Sequence, residues 1–95
     1  MSERDFYIAL SIKTADGFES YGKFFLGNNR RAAENIFAKL SGSKKVNSKS
    51  ILTLEFVETN RNLPLNIQVI SCTLEELTKN IKIITREMFK LLNLG

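Results

Sequence analysis

The chain contains no histidine and a single cysteine, Cys72, and this limits the chemistry within reach. A Ser-His-Asp or Cys-His nucleophile system cannot be assembled. Zinc and non-haem iron sites draw on clustered Cys and His at set spacings, and none exists here. The carboxylates best placed for acid–base work are Asp16, Glu34, Glu55 and Glu58. Sequence spacing pairs none of them, and a general acid or base needs a cleft and a shifted pKa. The expectation is a non-enzymatic protein that needs no cofactor and no metal. Gly27-Asn28-Asn29-Arg30 ahead of a helix has free amides for an anion. With no Walker motif present, Asn29 reads instead as a helix cap. Cys72 sits beside the start of a second helix, where a thiol can ionise more easily. Its simpler reading is a small residue ending a strand.

The remaining candidates bind rather than react. Lys and Arg number 14 against 10 Asp and Glu, a net charge of +4. Lys79, Lys82, Arg86 and Lys90 fall within about 80° of one another on a helical wheel. Lys44, Lys45 and Lys49 form a basic loop, and Arg30 and Arg31 open the first helix. Such a surface could neutralise phosphates, and its affinity for nucleic acid would fall steeply with salt. A polar outward face on a surface helix has the same composition. Met88, Phe89 and Leu92 widen the apolar stripe near the end of the second helix, which suits a homodimer or another protein contact. A sheet covered on one side leaves Tyr7 and Phe24 on the other, with Ser11, Lys13, Thr53, Glu55, Asn66 and Gln68. Aromatics with lysines on an open sheet can stack bases. The glycine-aromatic strand motif of RNA-recognition sheets is absent, as is their βαββαβ order. Ile51, Val57 and Ile70 on that face allow sheet-to-sheet dimerisation instead.

These side chains must be positioned by six elements. Phe6 to Lys13 alternates strictly, with Phe6, Ile8, Leu10 and Ile12 on one face, the period of a half-buried strand. Asp16-Gly17 marks a hairpin turn. Phe18 to Leu26 returns, with a bulge expected at Gly22. The spacing predicts a first helix from about Arg30 to Leu40, with Ala33, Ile36, Phe37 and Leu40 inward and Gly42 as its C-terminal cap. Ser50 to Glu58 alternates again, with Leu52, Leu54 and Phe56 inward. Leu63 to Ser71 is a fourth strand, with Leu63, Leu65, Ile67 and Val69 on one face and Pro64 suited to an edge. Thr73-Leu74-Glu75-Glu76 is a capping box. It opens a second helix reaching about Asn93, with Leu74, Leu77, Ile81, Ile84, Met88 and Leu91 on one stripe.

An offset of 44 residues carries 6–40 onto 50–84 without gaps: Ile8, Leu10 and Ile12 fall on Leu52, Leu54 and Phe56, and Asn29 falls on Thr73. Each half is strand, strand, helix, either by duplication or because periods of 2 and 3.6 match easily. The same offset places Tyr21 and Phe25 on the core side of the second strand, whereas alternation from Phe18 selects Phe24 and Leu26. The first register is the one adopted here. The fold class expected is α+β, a ββαββα chain forming a four-stranded antiparallel sheet with both helices on one face.

At 95 residues the chain reads as one domain over 1–95. Its size leaves little core to spare, so self-association would help it. The polar start and the lack of any long apolar run predict a cytoplasmic protein with no membrane segment. Tyr7-Ile8-Ala9, Thr14-Ala15-Asp16-Gly17-Phe18 and Tyr21-Gly22-Lys23-Phe24-Phe25-Leu26-Gly27-Asn28 resemble a group of short bacterial proteins of the Bacteroidetes type, over about the first 40 residues. That resemblance implies a stand-alone cytoplasmic domain and assigns no activity. Protein binding, to itself or to another chain, is the leading expectation, and weak nucleic-acid binding the alternative.

Overall fold

A computed structural model describes residues 4–47 and 49–91. The chain runs β1 (Arg4–Thr14), β2 (Gly17–Gly27), α1 (Arg30–Ala38), β3 (Leu52–Asn60), β4 (Leu63–Cys72) and α2 (Leu74–Leu91). The strands form one antiparallel sheet in the order β2-β1-β3-β4. Ala33, Ile36 and Phe37 of α1 share one core with Leu77 and Ile84 of α2 and with Phe6, Ile8, Leu54 and Phe56 of the central strands. Both helices therefore cover the same face, as the sequence predicts. Phe56 lies at the centre, its ring stacked on Phe37 at 5.4 Å and on Phe6 at 5.8 Å.

Local chemistry sets the element ends. The Asn29 side chain accepts a hydrogen bond from the Ala32 N–H at 3.0 Å and caps α1. The box at α2 closes both ways. The Glu76 N–H donates to Thr73 Oγ1 at 3.1 Å, and the Thr73 N–H donates to Glu76 Oε1 at 2.9 Å. The second hairpin turns on Arg61 and Asn62, both with positive φ (53° and 68°), the left-handed geometry that suits a tight turn between twisted strands.

Several expectations need correction. In β2 it is Leu26 that is buried and Phe24 that packs half-buried against the core, while Tyr21 and Phe25 are exposed. Phe24 thus leaves the open sheet face, and Phe25 takes its place. The cause is a pair of bulges. Along β1 the partners skip Leu26 between Phe6 and Tyr7, and skip Tyr21, beside Gly22, between Leu10 and Ser11. One extra residue moves every later side chain to the opposite face. The same happens in β4, where the pairing with β3 skips Ile67. Val69 pairs with Glu55 on the open face, while Ile70 is buried in the core and Gln68 lines a groove on the helix side. The 44-residue offset is right that Phe25 and Val69 share a face, but that face is the open one.

Gly42 does not cap α1. The C-cap is Lys39, in right-handed helical geometry, and α1 ends before Leu40. Gly42 passes so close to β4 that an added Cβ would stand 2.8 Å from the Ser71 carbonyl oxygen. This close passage lets Ser43 pair antiparallel with Ser71. The far end expected for the second helix, including Leu92, lies outside the described residues.

Candidate functional site

The strongest surface feature is built where β2 and α2 end. Phe25, Met88 and Leu91 line a notch of about 290 Å³, floored by Leu26 and closed by Gly27, Asn28 and Asn29. Gly27 has φ +87°, so the chain can turn sharply there from strand to cap. Phe25 is 64% exposed and Leu91 43%; Phe89, in the same helical turn, is 50% exposed. Met88 is half-buried and packs against the core. Of the residues expected to mediate self-association, Met88 lines this notch, Phe89 is exposed next to Met88 but is not among the notch walls, and Leu92 lies outside the described residues.

Phe25 also faces the open side of the sheet. Its ring lies 5.8 Å from that of Tyr7, and the Lys23 ammonium sits 5.0 Å over the Tyr7 ring, a cation–π distance. Tyr7, Ala9 and Val57 form a small buried cluster there. Tyr7 is consequently covered, and Phe25, with Phe18 further along β2, supplies the accessible aromatic surface. Phe25 therefore joins two surfaces that the sequence offered separately, the end of α2 and the open sheet face. Sequence reasoning missed it by placing it in the core; the adjacent pair Phe24-Phe25 was the available signal, since two neighbours on a strand cannot share one face.

The cations divide. Arg30 is held by Glu34 and by the buried Glu58, which also pairs with Arg4 at 3.5 Å. Lys90 binds Glu87 at 3.1 Å, and Lys39 binds the same carboxylate at 2.8 Å. These two lysines hold the Glu87 carboxyl below the usual carboxylate range, Lys39 contributing most. Lys79, Lys82 and Arg86 are exposed on α2 and make no ion pair among the described residues. Lys45 and Lys49 border a shallow recess with Thr73 and Glu76 at the start of α2, while Lys44 stands on a different groove, between α1 and β4.

The four carboxylates are dispersed. Of them only Glu34 lines the groove between α1 and β4. Glu58 is neutralised by two arginines. Glu55 accepts a hydrogen bond from Asn66 at 2.8 Å, and Asp16 sits in the first hairpin turn. Among the described residues no three His, Cys, Asp or Glu side chains group to hold a metal ion. Cys72 is partly buried. Burial first, then the nearby Glu76 charge, raises its thiol above the ordinary value, against a smaller opposing effect from Asn80. The helix start therefore does not activate it.

One internal feature was not foreseen. Asn80 is fully buried on α2. It accepts from the Ser41 N–H at 2.8 Å and donates to the Ser41 carbonyl at 2.7 Å and to Cys72 Sγ at 3.4 Å. Its position among Leu77, Ile81 and Ile84 was the clue: a polar residue inside an apolar stripe must find partners.

No family model, curated protein or solved structure matches the chain. The class is defined by the fold alone: an α+β domain of ββαββα order with both helices on one face of the sheet. Among the described residues no helix is long and apolar enough to cross a membrane.

Proposed function

We propose that this protein is a non-enzymatic binding domain that works in the cytoplasm as a homodimer, joined through the corner where α2 meets the end of β2. The observation that carries this reading is the convergence of Phe25, Met88 and Leu91 on one notch, with Phe89 exposed beside it. Burying exposed aromatic surface is the main driving force for association at about 25 cal/mol per Å², and aromatics dominate interface energetics. A small domain also gains core by pairing. Light scattering at high micromolar concentration is expected to give twice the 10.8 kDa chain mass. The double variant Phe25→Asp, Phe89→Asp is expected to return it to a folded monomer, with unchanged circular dichroism and a melting temperature that no longer rises with protein concentration. A wild-type particle of one chain mass overturns the reading.

A second reading, weak nucleic-acid binding, rests on Lys79, Lys82 and Arg86, which have no acidic partner among the described residues. Anisotropy with labelled single-stranded RNA and duplex DNA tests it. Binding must weaken steeply as salt rises and must be lost in Lys82→Glu, Arg86→Glu. Binding that survives charge reversal removes this surface.

A further inference from the structure

The two edges of the sheet are protected very differently. Edge strands expose unpaired backbone groups, and proteins usually blunt them with charges, bulges or covering segments. β2 has two bulges and carries Glu19 and Lys23. β4 has one bulge and Pro64 near its start, but no charged residue from Leu63 to Cys72. Leu63 and Leu65 are 72% and 62% exposed. The chain itself shows what this edge accepts. Ser43 pairs antiparallel with Ser71, each N–H donating to the other carbonyl at 2.8 Å. That added strand ends at once, because Lys44 and Lys45 turn away as exposed residues outside any strand. Val69, two residues from Ser71 with regular pairing between them, turns its N–H and C=O to the same outer side. Beside this edge, on the helix side, runs a groove of about 580 Å³ under α1, with Phe37, Phe56, Ile67 and Ile70 among its walls and Arg30 and Lys44 on its rim.

We propose that the β4 edge and this groove form the docking site for an extended segment of another protein. The segment adds as an antiparallel strand where Ser43 leaves off and lays alternate apolar side chains over Ile67. Strand addition supplies affinity through the backbone, and side-chain pockets supply selectivity. The charge on the rim selects the partner. Arg30 is neutralised by Glu34 and Glu58, whereas Lys44 has no acidic partner among the described residues. In the antiparallel sense the amino end of the incoming segment lies next to this lysine, so its carboxylate belongs there. A second copy of β4 brings no carboxylate, which is why the occupant is a different, acidic and apolar chain. This site is separate from the Phe25 corner and stands or falls independently of it.

The test is a random peptide library displayed on phage and panned on the full chain. Enriched peptides are expected to carry an acidic residue toward the amino end followed by alternating apolar residues. A synthetic copy of the best one should slow hydrogen exchange at the Val69 amide, lose binding to Val69→Pro, and bind Lys44→Glu several-fold more weakly. Val69→Pro removes the outward N–H, and the ring also fixes φ and restricts Gln68. Should it fail to fold, the exchange result and Lys44→Glu decide. Selected peptides that leave the Val69 amide fast, or that bind Lys44→Glu equally well, overturn the proposal, as does a library that yields no binder. A homodimer that Val69→Pro converts to monomer overturns the choice of occupant in favour of a second copy.

Discussion

Asn80 grips a single peptide group from both sides, and through it ties the segment leaving α1 to the middle of α2. Losing that side chain leaves the partly buried Ser41 N–H without its partner and the Ser41 C=O with only the Cys72 thiol at 3.5 Å. Each unsatisfied group costs about 1–3 kcal/mol. Asn80→Ala is therefore expected to lose about 1–3 kcal/mol, a fall of roughly 5–15 °C in melting temperature for a domain of this size, read by thermal denaturation. A change within error would mean that water replaces both bonds. Cys72 belongs to the same cluster and packs 3.3 Å from the position of a Gly42 Cβ. With its thiol raised above the ordinary value, it should alkylate at pH 8 more slowly than a free cysteine. Such residue-level features were only partly legible. The position of Asn80 within an apolar stripe announced a buried polar group, but its partner lies 39 residues away and no local pattern names it.

Among the elements, the helix starts were the most legible parts of the chain, because a cap is a contact between residues three apart: Asn29 with Ala32, and Thr73 with Glu76. The strands were located but not always turned the right way. Alternation survives intact in β1, where Phe6 and Ile8 are buried as expected. It fails in β2 and β4, where one unpaired residue reverses the face and nothing in the sequence fixes where it sits. Phe25, part of the candidate site, was placed in the expected core by the 44-residue offset, whereas alternation from Phe18 selected Phe24 and Leu26, the pair the structure turns to the core. Helix packing adds one pH-dependent link. Glu87 on α2 binds Lys39 just past α1, and its carboxyl is held low by that lysine first and Lys90 second. An unfolded chain titrates this group in the usual range. The stabilisation is therefore complete above that range and fades as pH falls through the lower folded value. Lys39→Met should leave stability less sensitive to acid than the wild type, read as melting temperature from neutral pH downward. Parallel curves for the two proteins would show that the link contributes nothing.

At the scale of the molecule, the sheet order β2-β1-β3-β4 sets two ββα halves side by side, with β1 antiparallel to β3 and Leu10 opposite Leu54. The 44-residue offset carries Leu10 onto Leu54, so an approximate two-fold axis passes through that pair. Each half closes its own hairpin locally, whereas the β1–β3 pairing joins residues as distant as Arg4 and Asn60. Closing the distant pairing costs more chain entropy than closing either hairpin. The link between them crosses the exposed lysine loop. A chain cut within that loop would still hold every strand of both hairpins, and its two pieces would find each other as strangers do, through β1 and β3.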